Sequence, residues 1–223
     1  MATETMTHRQ TQPWRRVASI ALIVAGVLIL TSALFPTPDD PADHASFLAL
    51  LVENSGRTRI VLLTVPVGIW ALAIGIAALR RTSGQDLASF RLGSYAVLGG
   101  ATAVTVQFAL SNAALAQAID GAFDTGLTLW IGATYLRMYS MLLLWAGIAA
   151  VGRGMLASRT YPNWVGWPAL LLGVAMVLVS GATVAGGPTQ AIAVVPGALA
   201  ALTAVWSVIL GGWFARHPIT TRT

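Results

Sequence analysis

Apolar residues run almost without a break through six stretches, about residues 17–35, 60–79, 92–118, 126–151, 164–185 and 191–215, and the charged residues gather between them. A hydrocarbon core about 30 Å thick is crossed by roughly 20 apolar residues in helical form. Each stretch therefore predicts one span, and the fold class is an all-α membrane protein, a bundle of six transmembrane helices. The division is a cytoplasmic N-terminal segment (1–16), a six-helix transmembrane domain (17–215) and a cytoplasmic tail (216–223). The first stretch is longer than a secretory h-region and exits through Pro36 and Pro38 without a small-x-small cleavage site, so it reads as an uncleaved span.

The loop 37–59 breaks the pattern. Asp40 and Pro41 form a helix N-cap and first-turn pair, Phe47, Leu48, Leu51 and Val52 an apolar face, and Gly56 a stop. These predict a short extracytoplasmic amphipathic helix of about 13 residues, too short to span. It serves either as a surface helix or as a lid over an outward-facing cavity.

Charge sets the orientation. All 13 basic residues are arginine. With the N-terminus inside, Arg9, Arg15, Arg16, Arg80, Arg81, Arg91, Arg153, Arg159, Arg216 and Arg222 are cytoplasmic, and only Arg57 and Arg59 lie outside. Both termini are then cytoplasmic by the positive-inside rule, and the location is the bacterial cytoplasmic (inner) membrane. Trp14, Trp164, Trp167 and Trp213 mark the inner interface, while Trp70, Trp145 and Trp206 lie deeper. Arginines spread over loop ends exclude nucleic acid as the partner. The partners expected are the lipid bilayer and a small amphipathic or anionic ligand.

Composition removes several chemistries. A mean hydropathy of +0.74 with 9% charged residues excludes a soluble domain. Absent cysteines exclude disulfides and thiolate metal sites. His8, His44 and His217 all lie outside the spans, so no cofactor and no intramembrane metal is expected.

The third and fourth spans carry the polar residues. Thr102, Thr105 and Asn112 fall on one side of the third span, and Gln107 and Ser111 on the other. Polarity on both sides predicts a helix surrounded by others. Arg137 stands near the middle of the fourth span, where an arginine costs roughly 2.5–3.5 kcal/mol on insertion scales. Gln107 precedes Asp120 by thirteen residues and Arg137 follows Asp124 by thirteen. An antiparallel hairpin places both about 20 Å below the connecting turn, with Ser111 and Asn112 level with Gly132 and Ala133.

Arg137 has three readings: a lock satisfied by helix polar groups and water, an anchor for an anionic ligand oriented by Gln107, Ser111, Asn112, Thr134 and Tyr135, or a side chain snorkelling or facing an oligomer partner. A second function class is a lipid- or isoprenoid-modifying enzyme using Glu53, Asp120 or Asp124 as the acid. A third is an accessory subunit, with Ala193, Gly197 and Ala201 as a small-residue face for close packing, inside the bundle or against a second copy. Pro66-x-Gly68 and Pro196-Gly197 each favour a kink, read either as ordinary membrane-helix prolines or as a pair that opens an outward cavity. Six spans permit two inverted halves of three, although the halves show no internal similarity.

Arg159-Thr160-Tyr161-Pro162-Asn163-Trp164-Val165-Gly166-Trp167, with Phe90-Arg91 and the acidic first loop, resembles uncharacterised six-helix bacterial integral membrane proteins, a domain-of-unknown-function family. The resemblance implies the six-helix architecture and carries over no activity or catalytic residue.

Overall fold

In a computed structural model, described over residues 2–36, 40, 43–82, 87–158, 160–186 and 190–216, the chain forms seven α-helices. They are α1 (Ala2–Leu30), α2 (His44–Glu53), α3 (Ser55–Thr82), α4 (Ala88–Ile119), α5 (Phe123–Ala157), α6 (Asn163–Gly186) and α7 (Gln190–Arg216). A 3-10 turn, Thr31–Leu34, extends α1. Six helices are long and apolar enough to cross a membrane, and the protein is a multi-pass membrane helical bundle.

The principal contacts close a ring: α1 lies between α7 and α3, then α4, α5 and α6 follow in turn back to α7, and α2 rests on α3, α4 and α5. The prediction of a fully surrounded third span is corrected here. Helix α4 is a ring member, and its Thr102 and Thr105 lie on an exposed face. Their hydroxyls donate to the carbonyls of Leu98 and Ala101, four residues back, which satisfies them without neighbouring helices. Thr105 also accepts from the indole of Trp70 at 2.8 Å.

The α4–α5 hairpin is the tightest element. A methyl added at Gly100 would stand 2.7 Å from the Leu144 backbone, one at Gly147 2.7 Å from Val97, and one at Gly93 2.7 Å from Val151. Glycine is what lets these backbones touch. The hairpin turns at Gly121, whose φ of 88° suits glycine. The seam on α4 runs Phe90, Gly93, Val97, Gly100, Val104, Gln107, Ser111, Ala114 and Ala118, all buried. Its counterpart on α5 runs Gly126, Trp130, Ala133, Arg137, Ser140, Leu144, Gly147, Val151 and Gly154, with alternating steps of three and four.

The two ends are closed differently. At the α2 end, the N-cap is Asp43, not Asp40: its carboxylate accepts from the Ser46 amide at 3.0 Å, and hydrogen bonding from the Ser46 side chain, then from that amide, holds its pKa below the ordinary value. Pro41 lies outside the described residues. The helix stops at Asn54, whose side chain bonds the Leu50 carbonyl, and Gly56 belongs to α3, so α2 is shorter than expected. Leu48 and Leu51 are fully buried. The element is thus a cap packed into the bundle.

At the opposite, arginine-rich end, the loop residue Tyr161 is 4% exposed. Its hydroxyl donates to the Leu79 carbonyl at 2.8 Å and meets the Thr82 hydroxyl at 3.3 Å. Its ring stacks on Phe90 and meets Phe214 edge-on. Burial raises the phenol pKa well above its ordinary value near 10.

Two outcomes check this architecture. Gly147→Leu should cost about 1–3 kcal/mol or more by overpacking the seam, whereas Gly132→Ala, with nothing within 4 Å of the added methyl, should be neutral or slightly stabilising in detergent melts. A phenol whose folded pKa is raised gives stability that is complete below about pH 10 and declines as pH rises towards the folded value. Thermal stability should therefore fall above pH 10 for the wild type, and Tyr161→Phe should reduce that slope.

Candidate functional site

The register of the seam fixes the neighbours of Arg137. Gly100 against Leu144 and Gly126 against Ala118 bracket the hairpin. Counting inward from both, Gln107 stands opposite Arg137 and Ser111 opposite Ala133. Gln107 is 6% exposed and Ser111 fully buried.

Arg137 is different. Its companions on the inward stripe of α5, Trp130, Ala133, Ser140 and Leu144, are all buried. Arg137 itself is accessible to solvent. The face of α5 away from this stripe is its outer face. Tyr135 and Tyr139, each 60% exposed, mark that outer face. Tyr135, two residues from Arg137 and about 200° round the helix, does not join it.

Few groups answer the charge. Among the described residues, the Arg137 side chain makes no hydrogen bond or ion pair; only its carbonyl is engaged, by Ser140 at 3.0 Å. Across the seam, the Gln107 amide nitrogen donates to Ser111 Oγ at 3.3 Å, and that hydroxyl donates to the Gln107 carbonyl at 3.1 Å. In this arrangement the hydroxyl accepts from the amide and donates to the helix carbonyl. Gln107 Oε1 is left buried with no donor. Trp130 Nε1, two turns nearer the cap, and Trp145 Nε1 are buried without acceptors. Asn112 and Thr134 turn their side chains back to the carbonyls of Phe108 and Trp130. They flank the layer and do not complete it.

The polar layer lies between two apolar clusters. On the cap side are Leu51, Leu62, Ala114, Leu115 and Trp130, with Phe47 edge-on to Trp130 at 5.4 Å. On the other side, Val97, Ala101, Val104, Leu144 and Ile148 belong to the main core. A guanidinium between such layers presents rigid donors suited to a carboxylate or phosphate.

Glu53, Asp120 and Asp124 are all exposed. Asp120 closes α4 and Asp124 sits in the first turn of α5, about 20 Å from the Arg137 layer. They form no cluster with it. Among the described residues no metal-binding group of His, Asp and Glu occurs. Gly197 is exposed with no neighbour within 4 Å, Ala201 is half-buried, and the side chain of Ala193 lies outside the described residues.

The unpaired indoles and the Tyr161 plug escaped the sequence reading. The alternation of three and four along residues 126–154 is the signal that places Trp130 and Arg137 on one inward stripe.

No protein family, curated protein or solved structure matches the chain.

A buried polar atom left unpaired costs about 1–3 kcal/mol. Gln107→Leu should therefore leave the empty protein as stable as the wild type or more stable by about 1 kcal/mol. A clear fall in melting temperature would mean that the amide is already satisfied.

Proposed function

We propose that this protein binds or moves a small amphipathic or anionic ligand, with Arg137 as its electrostatic anchor. The observation that carries the reading is an accessible guanidinium, on an inward helix stripe, with no acidic partner among the described residues. A permanent charge at this depth is expensive. The seam residues could have closed over a leucine at this position, as they do at Leu144. An arginine on this stripe instead offers its donors and charge to an anion.

In this reading both termini are cytoplasmic and α2 caps the outer side of a bacterial cytoplasmic membrane, as the arginine distribution supports. Gln107 and Ser111 set the acceptor side of the site, and Asn112 and Thr134 its flanks.

Native mass spectrometry of protein extracted in mild detergent tests the proposal. The wild type should carry an adduct that Arg137→Gln lacks, with both proteins equally helical and eluting alike. Affinity for the eluted molecule should fall at least about tenfold, as expected for losing a charge-assisted hydrogen-bonded pair. The same adduct on both proteins, or collapse of the variant, would return Arg137 to a scaffold role.

A further inference from the structure

We infer that the arginine-rich end of the bundle holds the phosphate head of an anionic phospholipid at Arg81 and Trp14, on the outward faces of α3 and α1. The inference does not rest on the reading of Arg137.

The sequence sets the place. Arg81 stands in the last turn of α3. At spacings of seven residues before it on the same helix come Ile74 and Val67, both exposed. The guanidinium therefore ends an outward stripe that is otherwise apolar. Helix α1 runs antiparallel beside it, because Gly75 faces Leu22, and Gly68 faces Leu28 and Ile29. On this register Val24 is level with Ile74, and Trp14 is level with the end of α3. Val24, Val17 and Trp14 are exposed as well. An apolar strip two helices wide thus terminates in an arginine and a tryptophan, which is the outline of an amphiphile.

The terminus is arranged to bind. Arg81 Cζ lies 4.9 Å from the centre of the Trp14 ring. A cation over an aromatic face is attracted by the ring quadrupole. The five N–H donors of a guanidinium lie in its own plane, so a ring against one face leaves the donor edge available. Both residues are exposed, and neither makes a hydrogen bond among the described residues. The indole N–H adds a neutral donor. Arg80, next in sequence, lies over Tyr95 of α4 at 5.4 Å and sets a second positive charge in the same turn.

Two alternatives fit this surface less well. A soluble anion would use the donors and leave the apolar strip without a role. A zwitterionic lipid would cover the strip but bring its own cation up to two arginines. An anionic phospholipid matches both parts, and basic clusters beside membrane helices attract such lipids.

Native mass spectrometry of the detergent-purified protein tests this with three probes. They are palmitoyl-oleoyl phosphatidylglycerol, phosphatidylcholine with the same chains, and glycerol phosphate. The wild type should bind phosphatidylglycerol saturably, about fivefold more tightly than phosphatidylcholine, and glycerol phosphate negligibly. Arg81→Gln should weaken phosphatidylglycerol about fivefold, and Trp14→Ala about threefold. Arg153→Gln removes the same charge from an exposed position on α5 at the same end and should leave affinity unchanged. Undiminished phosphatidylglycerol binding in either Arg81→Gln or Trp14→Ala would overturn the site. Equal losses in Arg81→Gln and Arg153→Gln would reduce it to diffuse attraction and overturn it too. Phosphatidylcholine matching phosphatidylglycerol would overturn the anionic assignment, and glycerol phosphate matching it would overturn the lipid. Loss in Arg137→Gln with none in Arg81→Gln would seat the lipid at Arg137, which overturns this inference and spares the anchor reading.

Discussion

Everything at the site depends on backbone contact between α4 and α5. Glycines 93, 100 and 147 bring the two helices to distances that no side chain could occupy. Such contact locks register, because a slip of one seam position would drive a Cβ into facing backbone. Register in turn decides that Gln107 and Arg137 share a layer. Neither residue could be placed by its own chemistry: a lone arginine in a membrane helix is free to snorkel, and a lone glutamine bonds any neighbour. The glycine seam removes that freedom.

Elsewhere in the bundle many hydroxyls are settled within their own helix, and others bond across helices, as Ser19 does to the Gly211 carbonyl and Trp70 to Thr105. Thr64, Ser94, Thr128, Thr183 and Thr203 each donate to a carbonyl four residues back, so they cost little in a membrane. Against that background the unpaired groups of the α4–α5 layer stand out as a departure from a rule the same chain follows elsewhere. Local violations of otherwise consistent design mark places where stability is traded for function.

The sequence carries the helices and their order plainly, since length and apolarity alone define a span. It carries the level of Gln107 and Arg137 too, because both count thirteen residues from one turn. Three features were less legible. The choice between Asp40 and Asp43 as the cap of α2 depends on which carboxylate reaches an amide three residues on, and Ser46 decides it. The surroundings of α4 were misread because a threonine's bond to its own helix looks, in sequence, like a demand for a neighbour. Tyr135 was grouped with Arg137 by adjacency, yet two residues on a helix are about 200° apart, which turns it to the outside.

The asymmetry between the ends bears on which parts can move. Tyr161 ties its loop to α3 through the Leu79 carbonyl and wedges between Phe90 and Phe214, so α3, α4 and α7 are held together there. Glycine contacts between α5 and α6 reinforce the same half. In the capped half, α6 and α7 bury nothing that has been described, and local opening is least costly where few apolar contacts are broken. The α4–α5 seam is independent of these two helix ends. Arg137 and Gln107 therefore keep their shared layer whatever the positions of those ends, because the glycine contacts that set it lie wholly within α4 and α5.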